Sequence, residues 1–232
     1  MEEVQTYFKV IGFSTLFIAI NILPLIHGGF IDAVRLAFFQ VSSIITTTGY
    51  SSCDFNLWPT FSKMILLLLM VLGACAGSTG GGIKVSRMIV VVKKIRADIQ
   101  KTIHPQKVTL ITFDGKALDN KVVDQIMSFF CCFILILALC MVLVSLDGFD
   151  FETTISACFA CIGNIGPGFA MVGPFGNFSA FSDLSKIVLS FAMLIGRLEI
   201  FPILIFLAPF IGKGKKYRPT KADQVLLDEK NY

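Results

Sequence analysis

One short plan occurs twice in this chain of 232 residues, and few folds can accommodate it. The first copy runs Thr46-Thr47-Thr48-Gly49-Tyr50, a loop, Ser62-Lys63, nine mostly apolar residues and Gly73. The second runs Asn164-Ile165-Gly166-Pro167, a loop, Ser185-Lys186, nine residues and Gly196. Each copy follows a segment of short-helix length and, before that, an apolar span. Such an order lets a chain lower bare backbone carbonyls into a bilayer and bring them back out. The same residues also read as tight surface turns, so the setting of the motif has to decide.

That setting is apolar. Hydrophobic residues make up 55% of the chain, charged residues 16%, and mean hydropathy is +0.77. A soluble domain carries about a quarter charged residues. Four apolar regions stand out: Val10–Ile26, Lys63–Ala76 resuming at Val85–Val92, Val122–Ser145, and Ile187–Phe210. A membrane-spanning helix needs about 20 residues. The first, third and fourth regions span alone, and the second spans only if both sides of its glycine break are counted.

Charge sets an orientation. Residues 84–121 hold nine Lys/Arg against three Asp/Glu, and residues 211–232 hold six against three. Residues 146–185 hold no Lys or Arg but four acids, Asp147, Asp150, Glu152 and Asp183. Positive segments stay in the cytoplasm. Both termini are therefore expected in the cytoplasm of a multi-pass protein of the cell membrane, with the glycine turns dipping in from outside. The net charge of +4 resides in these loops, with no basic patch interleaved with aromatics, so nucleic acid is not an expected partner.

Irregular backbone at membrane depth must be buried in protein or line a watery path. Glycine permits positive φ, and rings of carbonyls replace the hydration shell of K⁺ or Na⁺. Thr46, Thr47, Thr48, Gly49 and Tyr50, with Asn164, Ile165, Gly166 and Pro167, are the expected ion-selectivity residues. The Thr hydroxyls add oxygen ligands or brace the turn. The run Gly73-Ala74-Cys75-Ala76-Gly77-Ser78-Thr79-Gly80-Gly81-Gly82 puts five glycines in ten residues, which no stable helix interior holds, at about 1 kcal/mol each. It lacks the Walker A lysine context and a preceding strand. It reads as an unwound intramembrane loop below the turns. Arg197, in Gly196-Arg197-Leu198-Glu199-Ile200-Phe201, stands mid-span, where a charge costs about 2.5–3.5 kcal/mol and marks ion pathways. It is expected to face the pore.

Together, Thr47 to Tyr50, Gly73 to Lys84, Asn164 to Gly168 and Gly196 to Phe201 resemble the TrkH branch of the Trk/Ktr/HKT potassium transporters over nearly the whole chain. The resemblance implies an all-α integral membrane fold, two tandem membrane–pore-loop–membrane repeats of a four-repeat K⁺-channel-like pore. Residues 1–101 would be the third repeat: outer span about 8–26, pore helix about 31–45, filter 46–51, and a broken inner span about 62–101 with its loop at 73–82. Residues 102–121 would be a cytoplasmic linker. Residues 122–212 would be the fourth repeat: outer span 122–145, pore helix 151–162, filter 163–168, inner span 184–210. Residues 213–232 would be a basic cytoplasmic tail. The resemblance further implies uptake of K⁺, sometimes Na⁺, with Gly73–Gly82 as gating loop and Arg197 beside it. Its implied partners are membrane lipids, a second copy in a homodimer and a cytosolic nucleotide-binding, TrkA-like regulatory subunit. Two repeats cannot close a four-part filter, so the chain is expected to be a fragment or half of the transporter, with the N-terminal half a further partner.

Two other classes are weighed. An ion-coupled secondary transporter of a small organic solute would use broken helices at mid-membrane. It accounts for the glycine break and Arg197 but not for the duplicated turns. A membrane enzyme would need paired carboxylates, a Ser/His set or metal ligands within the spans, and none is present. No covalent cofactor is expected. Cys158-x-x-Cys161 has redox or metal spacing, yet no second pair or nearby His accompanies it.

Overall fold

The computed structural model describes residues 1–26, 28–104, 106 and 110–198. Seven helices and one small hairpin follow in order: α1 (Glu2–Ile22), α2 (Gly29–Ile45), α3 (Thr60–Val71), α4 (Val85–Ile103), β1 (Thr112–Phe113), β2 (Lys116–Ala117), α5 (Asn120–Val144), α6 (Phe151–Ile162) and α7 (Asp183–Leu198).

Helix α1 with its 3₁₀ extension covers Glu2–Leu25, and α5 with its extension covers Asn120–Asp147. Both are long and apolar enough to cross a membrane, yet only 22% and 28% of their apolar windows are buried. Phe8, Phe13, Phe17 and Ile20 on α1, and Leu135, Leu139 and Val142 on α5, point outward. Contiguous apolar surface of this extent is unfavourable against water and suited to lipid.

Helices α1, α2 and α3 pack on one another, as do α5, α6 and α7, and contacts of α3 with α6 and α4 with α5 join the two sets. Each short central helix lies in its own apolar cluster. Ala33, Ala37, Val41 and Ile44 of α2 pack with Ile18, Ile22 and Leu66. Ala157, Cys158 and Ile162 of α6 pack with Phe133, Leu137 and Leu189. Small residues on one face let neighbouring helices come close, so α2 and α6 are held inside their sets.

Several bounds differ from expectation. Helix α1 begins at Glu2 rather than near residue 8, because Glu2 and Glu3 suit a helix N-terminus and both carboxylates have tertiary partners. It ends at Ile22 rather than 26, where Pro24 lacks the N–H to continue. Helix α2 begins at Gly29 rather than 31. The broken span consists of helices 60–71 and 85–103, so its unwound part is 72–84, slightly longer than 73–82. The expected linker is shortened by α4 running to Ile103 and α5 starting at Asn120, where Asp119 caps it by accepting from Lys121 N–H. Within it, Asp114 (φ 49°) and Gly115 (φ 78°) close a two-stranded hairpin, Thr112 opposite Ala117 and Phe113 opposite Lys116. Two consecutive positive-φ residues make the tight turn that suits a hairpin, a departure from the all-α expectation. The span expected at 184–210 starts at Asp183. Its part beyond Leu198, with Glu199 and the basic tail, lies outside the described residues, as does His27.

Candidate functional site: two glycine turns and an unwound loop

The turns after α2 and α6 follow one backbone recipe. Thr46 N–H donates to Ser42 O (3.1 Å), Thr47 N–H to Ile44 O (3.0 Å) and Thr48 N–H to Ser43 O (2.9 Å). In parallel, Gly163 N–H donates to Phe159 O (2.9 Å), Asn164 N–H to Cys161 O (3.0 Å) and Ile165 N–H to Ala160 O (2.9 Å). Thr47 and Asn164 have φ of 56° and 55°, and Gly49 and Gly166 have φ of 77° and 112°. Positive φ is ordinary for Gly and tolerated by Asn. For β-branched Thr47 it is a strained conformation of the kind that concentrates at functional sites.

The amide hydrogens of both turns point back into their own helix. Among the described residues, no donor reaches the carbonyl oxygens of Thr46–Gly49 or Asn164–Pro167. The two turns meet: a Cβ placed on Gly49 would lie 2.0 Å from Ile165 O and 3.2 Å from Pro167 Cδ. Thr46, Thr48, Tyr50 and Gly166 are exposed, whereas Ile165 is buried. The Thr46 hydroxyl donates to Ser42 O (2.7 Å) and lies 2.8 Å from Thr48 Oγ1, so these two hydroxyls brace the turn.

Buried polar groups fix the turns from behind. Gln40, wholly buried on α2, donates to Ser51 Oγ (3.0 Å), and Ser43 Oγ donates to Tyr50 O (2.6 Å). Ser156 on α6 accepts from Phe169 N–H (2.8 Å). Asn56 clasps the second turn's loop from the first set: its Oδ1 accepts from Ala170 N–H (2.9 Å) and its Nδ2 donates to Ala170 O (3.2 Å). These supports were not anticipated from the sequence. Gln40 within the apolar stretch from Leu36 to Val41 was the available signal, while Asn56 and Ala170 stand 114 residues apart.

The glycine-rich loop lies directly against both turns. A Cβ on Gly81 would sit 2.6 Å from Gly163 O, and one on Gly80 would sit 3.2 Å from Thr47 Oγ1. Its neck is closed by a bridge between Leu72 and Ile83, with Gly73 N–H donating to Ile83 O (2.8 Å) and Ile83 N–H to Val71 O (3.0 Å). Ala74 O accepts from Val85 N–H (3.4 Å), and Ser78 N–H donates to Cys75 O (3.0 Å). Ala76 N–H donates to Glu3 Oε1 (2.6 Å), while Gly77 and Thr79 are exposed.

Gly196 of α7 sits against Ile162 O, and the Asn164 side chain fastens the second turn to α7 by donating to Met193 O (3.0 Å). Arg197 is exposed and makes no hydrogen bond or ion pair among the described residues. The structure therefore places the preceding Gly196 beside the Asn164 side chain but does not join the Arg197 charge to the loop. Cys158 and Cys161 are free buried thiols on α6.

On the acidic side, the Ser182 hydroxyl (2.6 Å) and its amide (2.9 Å) donate to the Asp147 carboxylate. The Thr153 hydroxyl (2.6 Å) and then its amide (3.0 Å) hold the carboxyl of Asp150, the N-cap of α6, below the ordinary aspartate range. Lys63 of α3 pairs with Glu152 of α6 at 2.6 Å.

A family model described as TrkH, cation transport protein, matches residues 29–215, most of the chain. The chain belongs to the TrkH family of cation transport proteins. It is 38% identical over 197 residues to the Trk system potassium uptake protein TrkH of Vibrio parahaemolyticus, covering 84% of this chain and 40% of that protein. It is 34% identical over 189 residues to the Trk system potassium uptake protein TrkG of Escherichia coli, covering 82% and 38%. The crystal structure of the potassium transporter TrkH from Vibrio parahaemolyticus superposes with a TM-score of 0.81 at 35% identity, over 90% of this chain and 44% of that one. This TrkH-family chain thus spans about two fifths of the length of the curated relatives it matches. It is a helical membrane protein, and none of these relatives favours the organic-solute reading or an enzyme.

Proposed function

We propose that this chain supplies part of the path for K⁺ uptake in a Trk-type transporter. In this reading, residues 1–101 and 122–212 are two membrane–pore-loop–membrane repeats of a four-repeat pore, and both termini are cytoplasmic. The observation that carries it is the meeting of the two turns at Gly49 and Ile165 O, each with carbonyls that no donor among the described residues reaches. Such oxygens can replace the water around a monovalent cation. Thr46–Tyr50 and Asn164–Pro167 are the chain's share of that filter, and Na⁺ is the alternative cargo. The loop Gly73–Gly82, seated against both turns, is the movable barrier, and Arg197 supplies positive charge to the path beside it. The other repeats come from the part of the transporter outside this chain. A second copy makes a homodimer, and a TrkA-like nucleotide-binding ring docks on the basic cytoplasmic segments.

Uptake of labelled Rb⁺ tests this reading in proteoliposomes. Uptake is expected when the chain is reconstituted with the N-terminal half of a relative, and not with either half alone. A bulky residue at Gly49 should abolish it. Uptake that survives Gly49→Phe with the protein intact would remove Gly49 from the filter and overturn the reading.

A further inference from the structure

The unwound loop is pinned at its neck by backbone pairing and packed at Gly80 and Gly81 against the turns, but its tip has a different anchor. One carboxylate from another helix does that work. Glu3 Oε1 accepts from Ala76 N–H in the loop at 2.6 Å and from Ser86 N–H in the first turn of α4 at 3.1 Å. Beside it, Glu2 pairs with Lys93 of α4 at 2.6 Å, and Lys93 Nζ also donates to Thr112 O in the hairpin at 2.7 Å.

The chemistry is that of a latch. Ser86 N–H is one of the amides that a helix N-terminus leaves without an intrahelical partner, and a carboxylate there is favoured by the helix dipole. Glu3 is thus held to α4 by the helix end, and the same oxygen reaches across to Ala76. Next to Ala76, Gly77 has φ 86° and open space around its α-carbon, so no packing holds the tip at Gly77. Beyond the Ser78-to-Cys75 turn bond, the amide of Ala76 is the tip's tie to the rest of the protein among the described residues.

We propose that Glu3 is the positioning residue that latches the tip of the Gly73–Gly82 loop in its closed place. The Glu2–Lys93–Thr112 chain couples that latch to the hairpin. The consequence for ion flux rests on the reading of the loop as a movable barrier. The latch itself does not.

Hydrogen–deuterium exchange resolved by mass spectrometry separates the two, on the assembled transporter carrying this chain in nanodiscs. Hydrogen bonds to charged groups are the stronger ones, so Glu3→Ala should raise exchange in residues 72–84 by about tenfold. Glu3→Gln keeps an acceptor without the charge and should fall between Glu3→Ala and the parent. Peptides from α2 and α6 should not change. Loop exchange equal to the parent in both variants would overturn the latch, as would a rise spread evenly over the whole chain, which is general destabilisation. If Glu3→Ala does not assemble, Glu3→Gln decides alone by the same criterion. Labelled Rb⁺ flux is measured in parallel. Faster loop exchange with raised flux supports both ideas, whereas faster exchange with unchanged flux leaves the latch standing and removes the barrier.

Discussion

Replacing Gly49 by alanine adds one methyl group at the point where the two turns touch. The new Cβ would lie 2.0 Å from Ile165 O, a backbone atom that no rotamer change can move aside. Carbon and oxygen do not approach within 3.0 Å in such contacts, so the turns must part by about 1 Å. Overpacking of this kind costs about 1–3 kcal/mol. Holding alanine at φ 77° adds about 1–2 kcal/mol. Gly148, with φ 75° in open space, separates these contributions, because Gly148→Ala carries the backbone strain without the clash. Thermal unfolding of the assembled transporter should therefore rank Gly49→Ala well below Gly148→Ala. Labelled Rb⁺ uptake should fall steeply in the first and stay near the parent in the second. Equal stability and equal uptake in the two variants would refute the claim that the turns meet at Gly49.

Two further expectations concern the surroundings of the turns. Asp150 is held below the ordinary aspartate value of 3.8, so it contributes stability that is present above that value and is lost as pH falls through its lowered folded value. Asp150→Asn, in which Asn still caps α6, should flatten the stability curve below about pH 4; an unchanged acid limb contradicts this assignment. Asn164→Ala removes the bond to Met193 O and puts alanine at φ 55°, for a cost of about 1–3 kcal/mol. Asn164→Gly relieves the backbone strain and should be milder, as denaturant or thermal unfolding would report; because both variants lose the side-chain bond, the reverse order would refute a strain cost at residue 164.

Sequence legibility followed the range of the interactions. The two turns were visible because Gly49, Gly166 and Asn164 are residue types suited to positive φ, and because Ser-Lys and a spaced glycine recur after each. The break at Gly73–Gly82 was visible because five glycines defeat a helix locally. Thr47 concealed its conformation, since a β-branched residue argues against φ 56°. The start of α1 was placed too late because Glu2 and Glu3 look like a solvated flank until Lys93, Ala76 and Ser86 are brought to them. Asn56 and Gln40 escaped for the same reason: their partners are set by packing, and no local pattern names them. Gly196 was marked by its spacing to Lys186 alone, and the structure supplies a cause, the passage of Ile162 O close to its α-carbon.

The shared backbone course of the two turns has an evolutionary corollary. On the proposed reading, a lining built from main-chain oxygens is indifferent to most of the side chains that carry it, and Thr48 standing where the second turn has Ile165, or Tyr50 where it has Pro167, illustrates that latitude. Lineages descending from such a molecule can drift freely in the letters between the glycines while the electrostatic cage stays the same. Divergence would then gather in the outward-facing substituents, and the dihedral course itself becomes the inherited trait.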